Sequence, residues 1–232
     1  MKQKKKVSLC GKLDNMDNIS QDTLVWTALD ATPLAPNDWE LFWSAWKEHA
    51  GSSYLAKSDP AGNRLSETSK DKEFFKGLNI YAKDESVLND GHWRLPYLNY
   101  KEIFPNILDD IHAAIPWIGE VHVCRLWNST RPIPYHKDFT AEHVAIRAMI
   151  YDENPKGTFK VFKMGAGVNY VNLPKETNWF AYNNEKCLHG SDKSDGVDKI
   201  ILLIVHTLKD KDMMEDHFKK SAEKFPDHYR YF

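Results

Sequence analysis

Between residues 120 and 208 the sequence is a succession of short β-branched or aromatic runs, and no helical pattern separates them. The runs are EVHVCRLW (120–127), HVAIRAMIY (143–151), TFKVFKM (158–164), GVNYVNL (167–173), NWFAYN (178–183) and KIILLIVHTL (199–208). Each is bounded by Gly, Pro, Asn or Asp, the residues that punctuate strands. Parallel neighbours need a long crossover, usually a helix. Without one, the strands are expected to pair antiparallel. Helical periodicity is confined to the two ends of the chain. The expected fold is therefore mainly β with helices: a double-stranded β-helix, or jelly roll, with N-terminal helices and a C-terminal helix packed outside it.

A single domain is expected over residues 1–232. Residues 1–118 form a helical and irregular support region, 119–208 the jelly-roll catalytic core, and 209–232 a closing helix and tail. Within the support region, residues 1–35 read as irregular. Asn37, with Glu40 three residues later, reads as the cap of a helix. That helix carries Trp39, Phe42, Trp43 and Trp46 on one face, which is expected either to pack on a sheet or to form a stacking platform for substrate. Residues 50–70 are rich in Ser, Gly, Pro and Asp and read as a loop long enough to serve as a lid. A second helix is expected to bury Ile107, Leu108, Ile111 and Ile115, and to stop at Pro116. An amphipathic helix is expected over about 209–224.

Composition narrows the function classes. The formal net charge is -2, and the one basic stretch is the terminal MKQKKK, which reads as a solvated tail rather than a nucleic-acid arm. No apolar h-region follows it, and the run IILLIV at 200–205 is too short to span a bilayer. The three cysteines, Cys10, Cys124 and Cys187, form no CxxC pair, which suits a reducing compartment. A cytoplasmic protein with no membrane partner is expected.

The chemistry-bearing residues begin in RPIPYHKDFT, where His136 and Asp138 stand two apart. With 10 His and 20 Asp in the chain, one such pair arises by chance about once, so the pair alone proves nothing. On a strand, however, both side chains share a face. His189, in NNEKCLHG, is the candidate third ligand. Two imidazoles and a carboxylate on one side of a metal leave the opposite positions open, which suits Fe(II) with a chelating co-substrate and O2. Such a co-substrate needs a cation for its far carboxylate. Lys199, ten residues after His189, opens the most apolar strand in the chain. It is either an exposed strand-end charge or a buried anchor.

These four residues resemble the pattern of the Fe(II)/2-oxoglutarate-dependent dioxygenases. The lead-in segment IFPNILDDIHAAIPWIGEVHVCRLWNSTRPIPYHKD is similar to that of the aspartyl/asparaginyl β-hydroxylase-like group, which includes free-proline hydroxylases. The resemblance covers roughly residues 103–208. It implies that His136, Asp138 and His189 hold Fe(II) and that Lys199 anchors 2-oxoglutarate, with O2 as the second co-substrate. The group usually has Arg at the anchor position, and Lys replaces its fork with a point charge. Arg147 matches a second basic position and is expected either to bind a carboxylate in the pocket or to form a structural ion pair. The related iron halogenases have Gly or Ala where Asp138 stands, so the resemblance implies hydroxylation. Arg125 and Trp127 are candidates for substrate binding, with a surface or ion-pair role as the alternative for Arg125 and a core role for Trp127. The expected substrate is a small molecule or peptide, hydroxylated on an amino-acid side chain with release of succinate and CO2.

Other classes stay open. A cupin-like metal- or small-molecule-binding module without turnover would leave Lys199 without a role, as would a zinc hydrolase on the same ligands. A nucleic-acid-modifying dioxygenase would call for a basic groove, which the net charge does not favour.

Overall fold

A computed structural model describes residues 18–52, 75–84, 100–129, 133–137, 143–152, 159–163, 167–191 and 199–231. The expected lid at 50–70 lies almost wholly outside the described residues. The strands are β1 (Leu24–Ala28), β2 (Gly51–Ser52), β3 (Phe75–Ala82), β4 (Ile118–Ser129), β5 (Ile133–His136) and β6 (Val144–Asp152), followed by β7 (Phe159–Lys163), β8 (Gly167–Tyr170), β9 (Trp179–Asn183), β10 (Leu188–Ser191), β11 (Lys199–Leu208) and β12 (Tyr229–Tyr231). A large sheet runs β12-β1-β9-β6-β11-β4-β3-β2 and a small one β5-β10-β7-β8. From β4 to β11 the chain alternates between them, with β4, β6, β9 and β11 in the large sheet and β5, β7, β8 and β10 in the small one. All pairings are antiparallel. Eight strands wound in this alternation form a jelly roll, the fold class expected from the sequence.

Each face of the large sheet buries a different core. On the outer face Ile200, Leu202 and Ile204 of β11 join Cys124 and Leu126 of β4 and Ile146 and Ala148 of β6. Three helices cover this face: α1 (Trp39–His49), α2 (Ile107–Ala114) and α3 (Lys211–Lys224). They contribute Phe42 and Trp46, Ile107 and Ile111, and Met214 and Phe218. The inner face meets the small sheet, where Ile201, Ala145, Phe180 and Tyr182 pack with Phe159 and Val161. β11 is therefore apolar on both faces, which accounts for the unbroken run IILLIV.

Residues 1–35 are not wholly irregular. β1 pairs with β9 and β12 and is buried along its whole length. A five-residue run whose partners lie some 150 and 200 residues further along the chain has no local signature. The α1 cap is Asp38 rather than Asn37: Asp38 Oδ1 accepts from the amides of Glu40 and Leu41 at 2.8 and 3.0 Å. The aromatic face of α1 packs as expected on the sheet side, with Phe42 against Phe104 and Trp43 edge-on to Tyr151. Trp39 remains 39% exposed.

Two histidines near α3 are held neutral. Trp117 Nε1 donates to His217 Nδ1, and His217 Nε2 donates to the Asp30 carbonyl, each at 3.0 Å. Both imidazole nitrogens are engaged only in the neutral form, and burial lowers the His217 pKa. His206 lies edge-on to Trp117. Burial pushes its pKa down to about 4; a hydrogen bond to the Thr207 carbonyl opposes the shift, and the charges of Arg147 and His122 add to it. A depressed folded-state pKa means the unfolded chain binds the proton first. Stability is thus present above pH 6.5 and is lost as pH falls toward 4. Urea unfolding between these pH values should show a loss of up to about 3 kcal/mol from this group. The His206→Gln protein should lack that part of the slope.

Candidate active site

Local chemistry sets where His189 falls. β9 ends at Asn183, whose Oδ1 accepts from the Lys186 amide at 2.7 Å, closing a side-chain turn. Asn183 Nδ2 donates to the Gln21 carbonyl at 2.9 Å, which pins that turn to the segment entering β1. The turn delivers β10 in a register that pairs His189 with His136 at the end of β5 and with Val161 of β7. The His136 and His189 rings lie 4.2 Å apart between centroids, tilted by 52°. Val161 belongs to the inner core, so both imidazoles are on the inner face of the small sheet.

The pair sits against aromatic walls. Phe159 stacks on His189 at 5.8 Å, and Tyr182 lies 4.8 Å from it. His189 is buried and His136 half-buried. Asp138 lies outside the described residues, and among the described residues no third His, Cys, Asp or Glu joins the pair. His143 is engaged with Glu185 at 2.8 Å on the surface.

The large sheet forms the facing wall. Strand alternation puts Lys199 on the same face of β11 as the inner-core residue Ile201. Lys199 is 2% exposed, which settles the choice between an exposed strand end and a buried cation. Its cross-strand neighbour is Asp152 of β6. Reading β11 alone finds no acidic neighbour for Lys199; strand pairing brings one opposite. Arg147 is also buried. Its Nη1 donates to the Ile146 carbonyl at 2.7 Å, and its guanidinium lies 5.4 Å from the centre of the Tyr182 ring. Tyr182 thus neighbours both Arg147 and His189. Arg125 and Trp127 are half-buried on the inner face of β4, in register with Leu203 and Ile201.

The sequence reading missed Tyr182, Phe159 and Asn79, all of which line this interior or hold groups that do. Their one sequence signal is alternation within runs too short to phase. Two interior polar atoms, Trp26 Nε1 and Ser191 Oγ, are buried without a hydrogen-bond partner among the described residues. Native interiors seldom leave such groups unsatisfied, and a polar ligand between the sheets would meet them. The donor set therefore fits a resident transition metal and a polar co-ligand: two imidazoles aimed into one enclosed space, with unsatisfied donors around it.

No protein-family profile matches the sequence, and no characterised protein matches it by sequence similarity. Solved structures with a similar chain trace include a bsmA homologue from Methylobium petroleophilum PM1, with 13% identity over 72% of this chain and 80% of that one and a TM-score of 0.43. An oxidoreductase of the 2OG-Fe(II) oxygenase family from Burkholderia pseudomallei shares 10% identity over 60% and 70% of the two chains, with a TM-score of 0.34. A Pseudomonas putida prolyl-4-hydroxylase shares 8% identity over 72% and 97%, with a TM-score of 0.35. No helix among the described residues is long and apolar enough to cross a membrane.

The Tyr182 ring packs against both His189 and the Arg147 guanidinium. Its truncation in Tyr182→Ala should cost about 3–5 kcal/mol in denaturant unfolding, the range for a buried ring. Tyr182→Phe should retain most of that stability.

Proposed function

We propose that this protein is an Fe(II)- and 2-oxoglutarate-dependent oxygenase that hydroxylates a C–H bond of an amino-acid side chain, free or within a peptide. The observation that carries the reading is the cross-strand pair His136 and His189, enclosed in a jelly-roll interior whose facing wall holds two buried cations. In this reading His136, His189 and Asp138 hold the metal. Iron with 2-oxoglutarate and O2 supplies an oxidant for unactivated C–H bonds, with release of succinate and CO2.

The chain's own residues do the rest. His136 and His189 present ring nitrogens from adjacent strands, and their backbone register sets them side by side. Phe159 and Tyr182 fill the space behind His189 and keep water from it. Lys199 offers one charged donor for the far carboxylate of 2-oxoglutarate. Arg147 offers a second cation whose orientation is set by the Tyr182 ring and the Ile146 carbonyl. As a metal ligand, Asp138 would take the position that a halide needs, so the expected product is an alcohol.

The cross-strand position of Asp152 favours a second reading, a metal-binding jelly roll that takes no keto acid. There Lys199 would answer Asp152 rather than a co-substrate.

Anaerobic Fe(II) with 2-oxoglutarate should give a weak visible charge-transfer band in the parent protein. The band should be absent from folded His136→Ala, Asp138→Ala and His189→Ala proteins, and a band of unchanged strength in all three would sink the assignment. Lys199→Ala should raise the half-saturating 2-oxoglutarate concentration roughly 10- to 150-fold, the effect of one lost charge-assisted hydrogen bond. Unchanged 2-oxoglutarate use in that variant would favour the second reading.

A further inference from the structure

Arg125 has no place in the co-substrate site proposed above, yet it is built into the same wall. The register of five strand pairs aligns one row across the inner face of the large sheet: Asn79, Arg125, Leu203, Arg147, Phe180 and Ala28. Arg125 Nε donates to Asn79 Oδ1 at 2.8 Å, and Asn79 is fully buried. A guanidinium has five donors, and this is the one hydrogen bond it makes among the described residues. No carboxylate pairs with it there. The surface lysines behave differently: Lys83, Lys186, Lys220 and Lys224 each meet an acid at 2.5 to 2.7 Å. An enclosed cation without a counter-ion is costly, and burial alone holds the Arg125 pKa below its ordinary value.

The geometry also says which part of Arg125 is available. The bond to Asn79 turns the Nε edge toward β3. The two terminal amino groups are left as a fork, the arrangement that takes both oxygens of a carboxylate. Trp127 and Leu203 flank it on the same face, both half-buried, so the surroundings are apolar. Arg125 lies two strands from Arg147, with β11 between them. Their backbones stand roughly 10 Å apart at ordinary strand spacing, and their partners turn them in opposite directions, Arg125 toward Asn79 of β3 and Arg147 toward Tyr182 of β9.

We propose that Arg125, oriented by Asn79, binds a carboxylate of the substrate, distinct from the carboxylates of the co-substrate. This rests on the oxygenase reading and narrows its substrate class to molecules that carry an acid beside a compact apolar part. The acid is either the α-carboxylate of a free amino acid or an acidic side chain within a peptide. Asn79 is a positioning residue and makes no claim on the substrate itself.

The test is an anaerobic titration of the Fe(II)- and 2-oxoglutarate-loaded full chain, read by perturbation of the charge-transfer band. The probes are free L-amino acids against their primary amides, and doubly capped peptides containing Asp or Glu against those containing Asn or Gln. Acids should perturb the band and their matched amides should not; the responding pair tells which source supplies the carboxylate. Arg125→Gln should keep the band and raise the half-saturating concentration of the acid roughly 10- to 150-fold, with Arg125→Lys recovering part of the loss. Asn79→Asp keeps the size of the side chain but gives Arg125 an internal counter-ion. It should weaken binding of the acid as Arg125→Gln does, while leaving 2-oxoglutarate affinity unchanged. A parent that responds equally to acids and amides would overturn the proposal and leave the oxygenase reading standing, as would an Asn79→Asp protein with parental affinity. Loss of 2-oxoglutarate affinity in Arg125→Gln would reassign Arg125 to the co-substrate. A parent with no band would remove the oxygenase reading, and this inference with it.

Discussion

The burial of β11 on both faces organises the rest of the molecule. Its even-numbered residues from Ile200 to Ile204 close the core under the three helices, while Ile201 faces the small sheet. A strand sealed on both sides has one register that satisfies both cores, because a one-residue slip exchanges the faces. β4 and β6 are held in that register on either side of it. Every inner-face residue of the large sheet inherits its position from this arrangement, including Lys199, Arg125 and Arg147.

The small sheet performs the complementary task. Its four short strands bury little area, but its central strand β10 lies between β5 and β7. That places His189 beside His136 on one side and Val161 on the other. The result is an interior with imidazoles on one wall and cations on the other. The aromatic rings of Phe159, Phe180 and Tyr182 belong to the apolar core between the two sheets, and Phe159 and Tyr182 pack against His189. Charges of this kind are tolerated in an interior only with partners. Asp152 stands opposite Lys199, the Tyr182 ring faces Arg147, and Asn79 holds Arg125. The three basic residues of this wall thus have three different kinds of partner: a carboxylate, an aromatic ring and an amide.

The helical layer bears on the site indirectly. α1 and α2 seal the outer face with Phe42, Trp46, Ile107 and Ile111, on the side of the large sheet opposite Lys199, Arg147 and Arg125. α3 is tied to the start of the chain by the ion pair of Lys224 with Asp30 and by the Trp117–His217–Asp30 chain of hydrogen bonds. These contacts keep β1 and β12 at the edge of the sheet, with Trp26 turned into the interior.

Much of this is written locally in the sequence. Runs such as 143–151, 178–183 and 199–208 declare strands because β-branched and aromatic residues suit a pleated, half-buried surface. The absence of helical periodicity between them forces antiparallel winding. The order of His136, Asp138, His189 and Lys199 along the sequence is what the proposed metal and co-substrate site rests on. What the sequence could not decide is what depends on pairing across long separations. The strands β1, β5, β10 and β12 are three to five residues long, too short for a period of two to emerge. The partnership of Lys199 with Asp152, of Arg125 with Asn79, and of Tyr182 with both Arg147 and His189 exists only once distant strands lie side by side. Alternation along a single strand tells which residues share a face; only the tertiary structure decides what that face meets.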